Sequence, residues 1–178
     1  MGTTNDYLKE CISDAIIIYL KEKPIEKISV DEIIKKAGVG RATYFRAFNS
    51  KTEAIAFKIM KMWKQYCELN DIKKCSFDAD NIRHFFTFNY SIKYILEIIY
   101  QAGLQDAISQ TLCRLMPVTD CMDKEVSANK IFRESFYAYG IYGLFNKWME
   151  NGFHETPDEM THILMEIIST PYTGTMDS

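Results

Sequence analysis

The segment Ser29–Phe48 constrains the fold of this chain more than any other, because it carries the start and stop signals of two short helices within 20 residues. Ser29 and Glu32 form the pattern Ser-x-x-Glu, in which the two side chains bond free backbone N–H groups at a helix start. Gly38 is a stop signal, since glycine readily takes the left-handed conformation of a C-terminal cap. We therefore predict a helix that starts at Ser29, a tight Gly-Val-Gly turn and a second helix over residues 40–48.

The other strong segments also have the period of an α-helix. In residues 4–22, apolar side chains recur at positions i, i+4, i+7, i+8 and i+11, which lie on one helical face. Ser50 with Glu53 repeats the Ser-x-x-Glu signal, and Thr156 before Pro157 marks another helix start. Beyond the long helix that begins after Ser50, we predict helices over residues 81–90, 92–102, 104–115, 125–151 and 157–169. No stretch alternates with period two long enough to indicate a sheet, so the predicted fold class is all-α.

Composition excludes several classes of protein. Of the 178 residues 47% are hydrophobic, and the sequence has no repeat or low-complexity tract, which argues against disordered and solenoid architectures. The longest apolar runs fall far short of the roughly 20 residues that cross a bilayer, so no membrane partner is expected. The five cysteines include no Cys-x-x-Cys pair, and the three histidines lack metal-ligand spacing. We therefore predict no metal, no cofactor and reduced cytosolic thiols.

Charge is distributed unevenly along the chain. The formal net charge is −3, but residues 1–63 carry 11 basic against 8 acidic side chains, whereas residues 64–178 carry 10 against 16. A mildly basic front with an acidic remainder suits a module that faces DNA phosphates, attached to a body that is kept away from them.

The second helix of the motif contains the residue types that a helix in the major groove of DNA requires. The small or polar side chains that can face the groove or its phosphates are Gly40, Arg41, Ala42, Thr43 and Arg46. Phe45 and Phe48 are predicted to anchor the helix in a three-helix core, and each arginine can pair with a guanine or with a phosphate. Lys51 can hold a phosphate together with free backbone N–H groups, and Tyr44 can donate its hydroxyl to the DNA backbone. The alternative is a helical hairpin in a core, with its basic residues on a solvated face.

The run from Ile28 to Lys51, with Ala-Gly-Val-Gly-Arg-Ala-Thr-Tyr-Phe-Arg-Ala-Phe at its centre, resembles the N-terminal domain of the tetracycline-repressor (TetR) family of transcriptional regulators. In that family a helix-turn-helix module precedes an all-α regulatory domain that dimerises through a four-helix bundle, and a small ligand often releases the DNA. The resemblance implies a three-helix DNA-binding domain over residues 1–62. A helical ligand-binding and dimerisation domain would follow over residues 63–178.

The same resemblance implies which residues contact DNA. Val39 to Thr43 would enter the major groove, and Arg46, Ala47 and Lys51 would lie near phosphates. The usual Phe-Tyr order is Tyr44-Phe45 here, and Ala47 takes a place often held by His or Tyr. A phosphate-binding hydroxyl is therefore either lost or supplied by Tyr44. The complete predicted DNA-binding set is Ser29, Val30, Val39, Gly40, Arg41, Ala42, Thr43, Tyr44, Arg46, Ala47 and Lys51.

The segment Phe136–Gly152, followed by Thr156–Met160, is similar to the last two helices of many TetR-like regulators, which usually form the dimer. Gly140 and Gly143 each cost a helix about 1 kcal/mol relative to alanine, which close approach of another helix would offset. A kink or a pocket wall is the alternative. A dimer would set two recognition helices roughly 34 Å apart, as a palindromic operator requires. The predicted interface residues are Tyr139, Gly140, Gly143, Leu144, Trp148, Met160, Ile163, Leu164 and Ile167.

Aromatic side chains in the middle of the chain are candidates for a ligand pocket, which this family places among its middle helices. An aromatic stripe at helical spacing is also typical of plain core packing, and no convergent polar group identifies a ligand. The candidate pocket residues are Tyr66, Phe85, Phe86, Phe88, Tyr90, Tyr94, Tyr100 and Met116.

These patterns predict a transcriptional regulator, a repressor in the first instance, that binds palindromic double-stranded DNA as a homodimer and is released by an unidentified small molecule. We expect it in the bacterial cytoplasm, at the nucleoid. An all-α enzyme is an alternative, but the sequence has no Gly-x-Ser-x-Gly, His-Glu-x-x-His, P-loop or Gly-x-Gly-x-x-Gly pattern, so no catalytic residue is predicted. Another alternative is a protein-interaction module that kept the helix-turn-helix and lost DNA binding.

Overall fold

The computed structural model describes residues 4–72, 78–104 and 128–170. Within these ranges the chain forms eight α-helices and one 3-10 turn, and no strand. The helices are α1 (Thr4–Leu20), α2 (Val30–Ala37), α3 (Arg41–Ala47), α4 (Lys51–Leu69), α5 (Ala79–Ser91), α6 (Lys93–Gln101), α7 (Ala128–Glu150) and α8 (Pro157–Ser169), with the 3-10 turn at Ile25–Lys27. The all-α prediction is confirmed, and the predicted bounds of α5, α6 and α8 agree within two residues. Apart from Leu104, the helix predicted over residues 104–115 lies outside the described residues.

The described chain divides into two compact units. The first unit contains residues 4–72 and 94–104, and the second contains residues 78–93 and 128–170. The predicted domain boundary between residues 62 and 63 falls inside α4 and stays a prediction.

In the first unit, α1 packs against α2, α3 and α4. Ile12 and Ile16 on α1 and Ile55 and Ile59 on α4 are completely buried. Burial of each such side chain contributes about 1.5–3 kcal/mol. This apolar core is the support on which α2 and α3 are held.

Polar contacts fix the register between α1 and α4. The buried Ser13 hydroxyl lies 2.8 Å from the Ala54 carbonyl oxygen, so it can donate a hydrogen bond across the two helices. Lys58 pairs with Asp14 at 2.7 Å, and Lys61 pairs with Glu10. These bonds lie along one helix pair, so axial displacement of either helix would break several of them together.

In the second unit, aromatic rings form the core. The Phe86 and Trp148 rings meet edge to face with centroids 5.5 Å apart, and the Phe153 ring lies 4.9 Å from Trp148. Trp148 Nε1 donates to the Glu155 carbonyl at 3.0 Å, which satisfies the only polar group of the buried indole. Beyond their area of burial, such ring pairs contribute about 0.5–1.5 kcal/mol each.

The starts of α8 and α4 were predicted from the same capping pattern, but their hydrogen bonds differ. At α8 the Thr156 and Glu159 side chains form the complete reciprocal capping box. At α4 the Ser50 hydroxyl accepts the Glu53 N–H, but the Glu53 carboxylate accepts the backbone N–H of Asn49 instead of Ser50. The start of α4 is therefore correctly predicted, whereas its reciprocal pairing is not.

Candidate nucleic-acid interface

A complete capping box begins α2. The Ser29 hydroxyl accepts the Glu32 backbone N–H at 3.2 Å, and the Glu32 carboxylate accepts the Ser29 backbone N–H at 2.9 Å. Glu32 also accepts a hydrogen bond from Lys23 Nζ at 2.5 Å. These donors, Lys23 first and then Ser29, lower the pKa of Glu32 to about 2. Glu32 thus joins the start of α2 to the connection from α1, and the predicted start signal is confirmed.

The turn between α2 and α3 depends on Gly38. Its φ is 66°, in the left-handed region, and its backbone N–H bonds the Ile34 carbonyl. The N–H of Val39 reaches the same carbonyl at 3.1 Å. Because a side chain at Gly38 would be strained in this conformation, the glycine sets the angle at which α3 leaves α2.

Two aromatic side chains anchor α3, but one of them differs from the prediction. Tyr44 is only 4% exposed and Phe48 only 3%, whereas Phe45 is 58% exposed. The prediction that Phe45 is an anchor is therefore wrong, and Tyr44 takes that place. Burial also raises the pKa of the Tyr44 hydroxyl. We correct the predicted contact of Tyr44 with the DNA backbone, because its side chain lacks the exposed surface that such a contact needs.

The opposite side of α3 is exposed and basic. Arg41, Ala42, Phe45 and Arg46 are all exposed. Arg41 Nη1 donates to Asp31 Oδ1 on α2 at 2.6 Å, and the Arg41 guanidinium lies 5.8 Å from the centre of the Phe45 ring. The structure thus presents two cations and two apolar groups on a helix whose other side is fixed in the core.

Lys51 lies at the first turn of α4, as predicted, but its ammonium has a partner. Lys51 Nζ donates to the Ile25 carbonyl in the 3-10 turn at 2.7 Å. The side chain is partly buried. Two of its three donors remain, so this structural contact is compatible with a phosphate contact, which stays a prediction.

The remaining residues of the predicted DNA-binding set also belong to the first unit. Ser29 and Gly40 are exposed, and the half-buried positions are Val30, Val39, Thr43 and Ala47.

The predicted pocket residues fall in both compact units. Tyr66, Tyr94 and Tyr100 belong to the first unit, and Phe85, Phe86, Phe88 and Tyr90 belong to the second. Phe85, Phe86 and Phe88 are buried, and the first two have their rings against other rings of the core, so the core-packing alternative holds for them. Tyr94 is exposed, with Lys21 Nζ 4.7 Å from its ring centre. Met116 lies outside the described residues.

Three of the predicted interface residues are corrected. Trp148, Met160 and Leu164 are no more than 5% exposed and belong to the core of the second unit. They have no surface left for a partner. Leu144 and Ile163 are half-buried, and the exposed positions are Tyr139, Gly140, Gly143 and Ile167.

An exposed apolar face runs along α7, and we call it the α7 face. It consists of Phe132, Phe136, Tyr139, Gly140 and Gly143, whose spacing of i, i+4, i+7, i+8 and i+11 places them on one side of the helix. The three aromatic side chains are each more than 70% exposed. A Cβ atom added at either glycine would meet no atom within 4 Å. Close approach by another of the described residues therefore does not explain these glycines.

Sequence reasoning missed three of the residues above. Phe132 and Phe136 extend the α7 face toward the helix start, and their four-residue spacing was a sequence signal that could have identified them. Asp31 was not singled out, because a contact between side chains ten positions apart leaves no periodic pattern.

Two absences concern the described residues alone. No group of three or more potential metal ligands occurs in residues 4–72, 78–104 and 128–170. None of the helices described there is both long and apolar enough to span a membrane.

Comparison with known proteins gives matches at both ends of the chain. Residues 12–55 match the family model described as bacterial regulatory proteins, tetR family, and residues 91–170 match that of a TetR transcriptional regulator C-terminal region. The crystal structure of Lin0861 from Listeria innocua is similar in fold, with a TM-score of 0.67, 15% identity and coverage of 94% of this chain and 93% of that chain. No curated protein matches significantly.

The two family models confirm the resemblance that the segment from Ile28 to Lys51 indicated. They place a helix-turn-helix before an all-helical regulatory region, in the order that the structure has. The chain belongs to the TetR family of DNA-binding transcriptional regulators.

Proposed function

We propose that the protein is a homodimeric repressor that binds a palindromic operator and leaves it when a small molecule binds its C-terminal region. The observation that carries the proposal is the division of α3, where Tyr44 and Phe48 are buried while Arg41 and Arg46 are exposed. A helix fixed on one side and basic on the other can enter the major groove without losing its packing.

The α7 face supports the homodimer. Its aromatic side chains leave a large apolar surface exposed to water, and Gly140 and Gly143 leave room for a second backbone. A second copy of α7 is an occupant that would bury this surface by twofold symmetry, since the same face then serves on both sides. Two subunits would present two α3 helices to two half-sites.

A buried amide supports an effector site in the second unit. Asn89 is fully buried, and its Nδ2 donates to the Phe85 carbonyl, but its Oδ1 has no hydrogen-bond partner among the described residues. Buried acceptors are normally paired, because an unpaired one costs about 1–3 kcal/mol. Asn89 Oδ1 is thus suited to accept from an O–H or N–H group of an apolar ligand.

DNA binding is tested by selecting sequences from a random double-stranded pool and measuring the affinity of the selected site by fluorescence anisotropy at several salt concentrations. We expect a palindromic motif, two chains per site and steep salt dependence. Arg46→Ala should weaken binding about tenfold. The matched control is Lys64→Ala, which removes one exposed cation outside the motif. Failure to enrich any motif would contradict the proposal.

The effector is tested by screening small molecules for release of the selected DNA. A compound that releases the wild-type protein should act more weakly on Asn89→Leu, which removes the buried acceptor at similar size. The control variant is Asn81→Ala on the same helix, at a half-buried position. Equal responses of wild type and Asn89→Leu would remove Asn89 from the effector site.

A further inference from the structure

We infer that Asp31 positions the guanidinium of Arg41 to recognise a guanine in the major groove, so that Asp31 determines base specificity without touching a base. The inference rests on the proposed DNA-binding function and extends it to one base pair in each half-site. It also separates the roles of the two arginines of α3, which sequence reasoning left open.

The geometry fixes Arg41 from two sides. Its Nη1 atom bonds Asp31 Oδ1 at 2.6 Å, and its guanidinium carbon lies 5.8 Å from the centre of the Phe45 ring. Asp31 belongs to the first turn of α2 and Arg41 to the first residue of α3, so the contact spans the turn at Gly38. Two neighbouring groups thus favour one orientation of the guanidinium at the start of α3.

Folding stability does not explain this ion pair. More than half of both side chains is exposed, and ion pairs in water contribute little. DNA that covers this surface would exclude water and strengthen the pair, because the attraction between charges rises as the local dielectric constant falls. The contact therefore has its largest effect in the DNA complex.

The donors left on Arg41 suit a guanine. Asp31 takes one Nη1–H, which leaves the Nε–H and Nη2–H groups on the other edge of the guanidinium. Two parallel donors match the O6 and N7 acceptors of guanine. Arg46 has no ion pair or ring contact in the described part of the chain, and a freely moving cation is suited to a phosphate, which requires no fixed orientation.

The experiment measures base preference at each position of the selected operator for wild type, Asp31→Asn, Asp31→Glu, Arg41→Ala and the double variant Asp31→Asn/Arg41→Ala. Arg41→Ala should lower the preference for guanine about tenfold at one position of each half-site. Asp31→Asn should lower it roughly threefold at the same position, and Asp31→Glu should restore part of it. In the double variant, loss of Asp31 should add nothing to the loss of Arg41.

The control variant is Glu26→Gln, which removes one exposed negative charge of the first unit and should change no base preference. A purely electrostatic role of Asp31 would raise affinity equally for all sequences in Asp31→Asn and leave the guanine preference unchanged, which would overturn the inference while DNA binding stood. Wild-type protein that selects no motif would overturn both proposals. Thermal unfolding of each variant checks that a lost preference does not come from a lost fold.

Discussion

Helices α3 and α7 both leave aromatic side chains in water, but their surroundings differ. On α3, Phe45 lies beside the cation of Arg41. On α7, Phe132, Phe136 and Tyr139 share their face with Gly140 and Gly143, and the exposed charges on the same side of the helix, Lys147 and Glu150, come only after Gly143. An aromatic ring among cations suits a polyanion such as DNA, whereas a row of rings beside glycines suits another protein helix. Neighbouring charge, rather than exposure alone, distinguishes the two surfaces.

The largest expected effect tests whether Trp148 and Tyr139 on α7 belong to different environments. Trp148→Ala should lower the free energy of unfolding by about 3–5 kcal/mol, because it leaves a cavity among packed rings and an unpaired carbonyl of Glu155. Chemical denaturation with circular dichroism measures this. Tyr139→Ala should change the unfolding of the dilute protein by no more than about 0.5 kcal/mol. Equal losses in the two variants would contradict the separation of core and exposed face.

The second prediction places a charge on each exposed aromatic surface. Phe136→Lys should weaken self-association roughly 100-fold, because two lysines would meet where apolar surface is buried. Phe45→Lys should leave self-association unchanged, because Phe45 lies on α3, outside the α7 face. A further cation also suits the basic α3 surface. Sedimentation equilibrium measures both, and Leu69→Lys, at an exposed apolar position on α4, is the control. A dimer that persists in Phe136→Lys would place the interface elsewhere.

A smaller effect is expected from restoring a hydroxyl on α3. Phe45→Tyr should raise DNA affinity about fivefold if the exposed ring lies near the DNA backbone, since a new hydrogen bond contributes about 1 kcal/mol. Tyr44→Phe removes a buried hydroxyl from the neighbouring position and should leave DNA affinity unchanged. Anisotropy titrations on the selected operator compare the two. The opposite ranking would show that Tyr44, not Phe45, faces the DNA.

The smallest expected effect is a difference in how much low pH destabilises the capping boxes of the two units. The pKa of Glu32 is lowered by Lys23 and Ser29, and that of Glu159 is lowered by Thr156 alone. A carboxylate whose pKa is lowered by folding stabilises the folded state at pH values above its ordinary pKa. That stability is lost as the pH falls toward the pKa in the folded state, which is about 2 for Glu32. The melting temperature of the wild type should fall as the pH is lowered. Glu32→Gln should therefore reduce this fall more than Glu159→Gln does. Identical pH profiles would contradict the extra contribution of Lys23.

Local signals in the sequence predicted the helices and their ends. Ser29, Gly38 and Thr156 act within one helical turn, so their roles depend on nearby residues alone. The DNA-binding segment could be predicted for the same reason, because its two helices and turn are continuous in the chain. The family follows from that segment too, because its motif is contiguous.

Errors arose where the outcome depended on three-dimensional packing. Tyr44 and Phe45 are adjacent aromatic residues on a short helix, and the pattern does not say which one faces the core. Trp148, Met160 and Leu164 are apolar, as both core and interface residues are, so composition could not separate the two. The spacing of Ile141, Phe145 and Trp148 marks the buried side of α7, opposite the α7 face.

The Ser13 hydroxyl has a mechanical consequence for the first unit. It is completely buried beside the Ala54 carbonyl, 41 positions along the chain, so a sliding motion of α4 along α1 would take this donor away from the Ala54 carbonyl and leave the hydroxyl with the Lys9 carbonyl of its own helix. Rotation of the two helices together keeps this bond intact. A displacement of α4 should therefore move α1 with it. In the homodimer proposed above, such a movement would alter the distance between the two recognition helices without altering either helix.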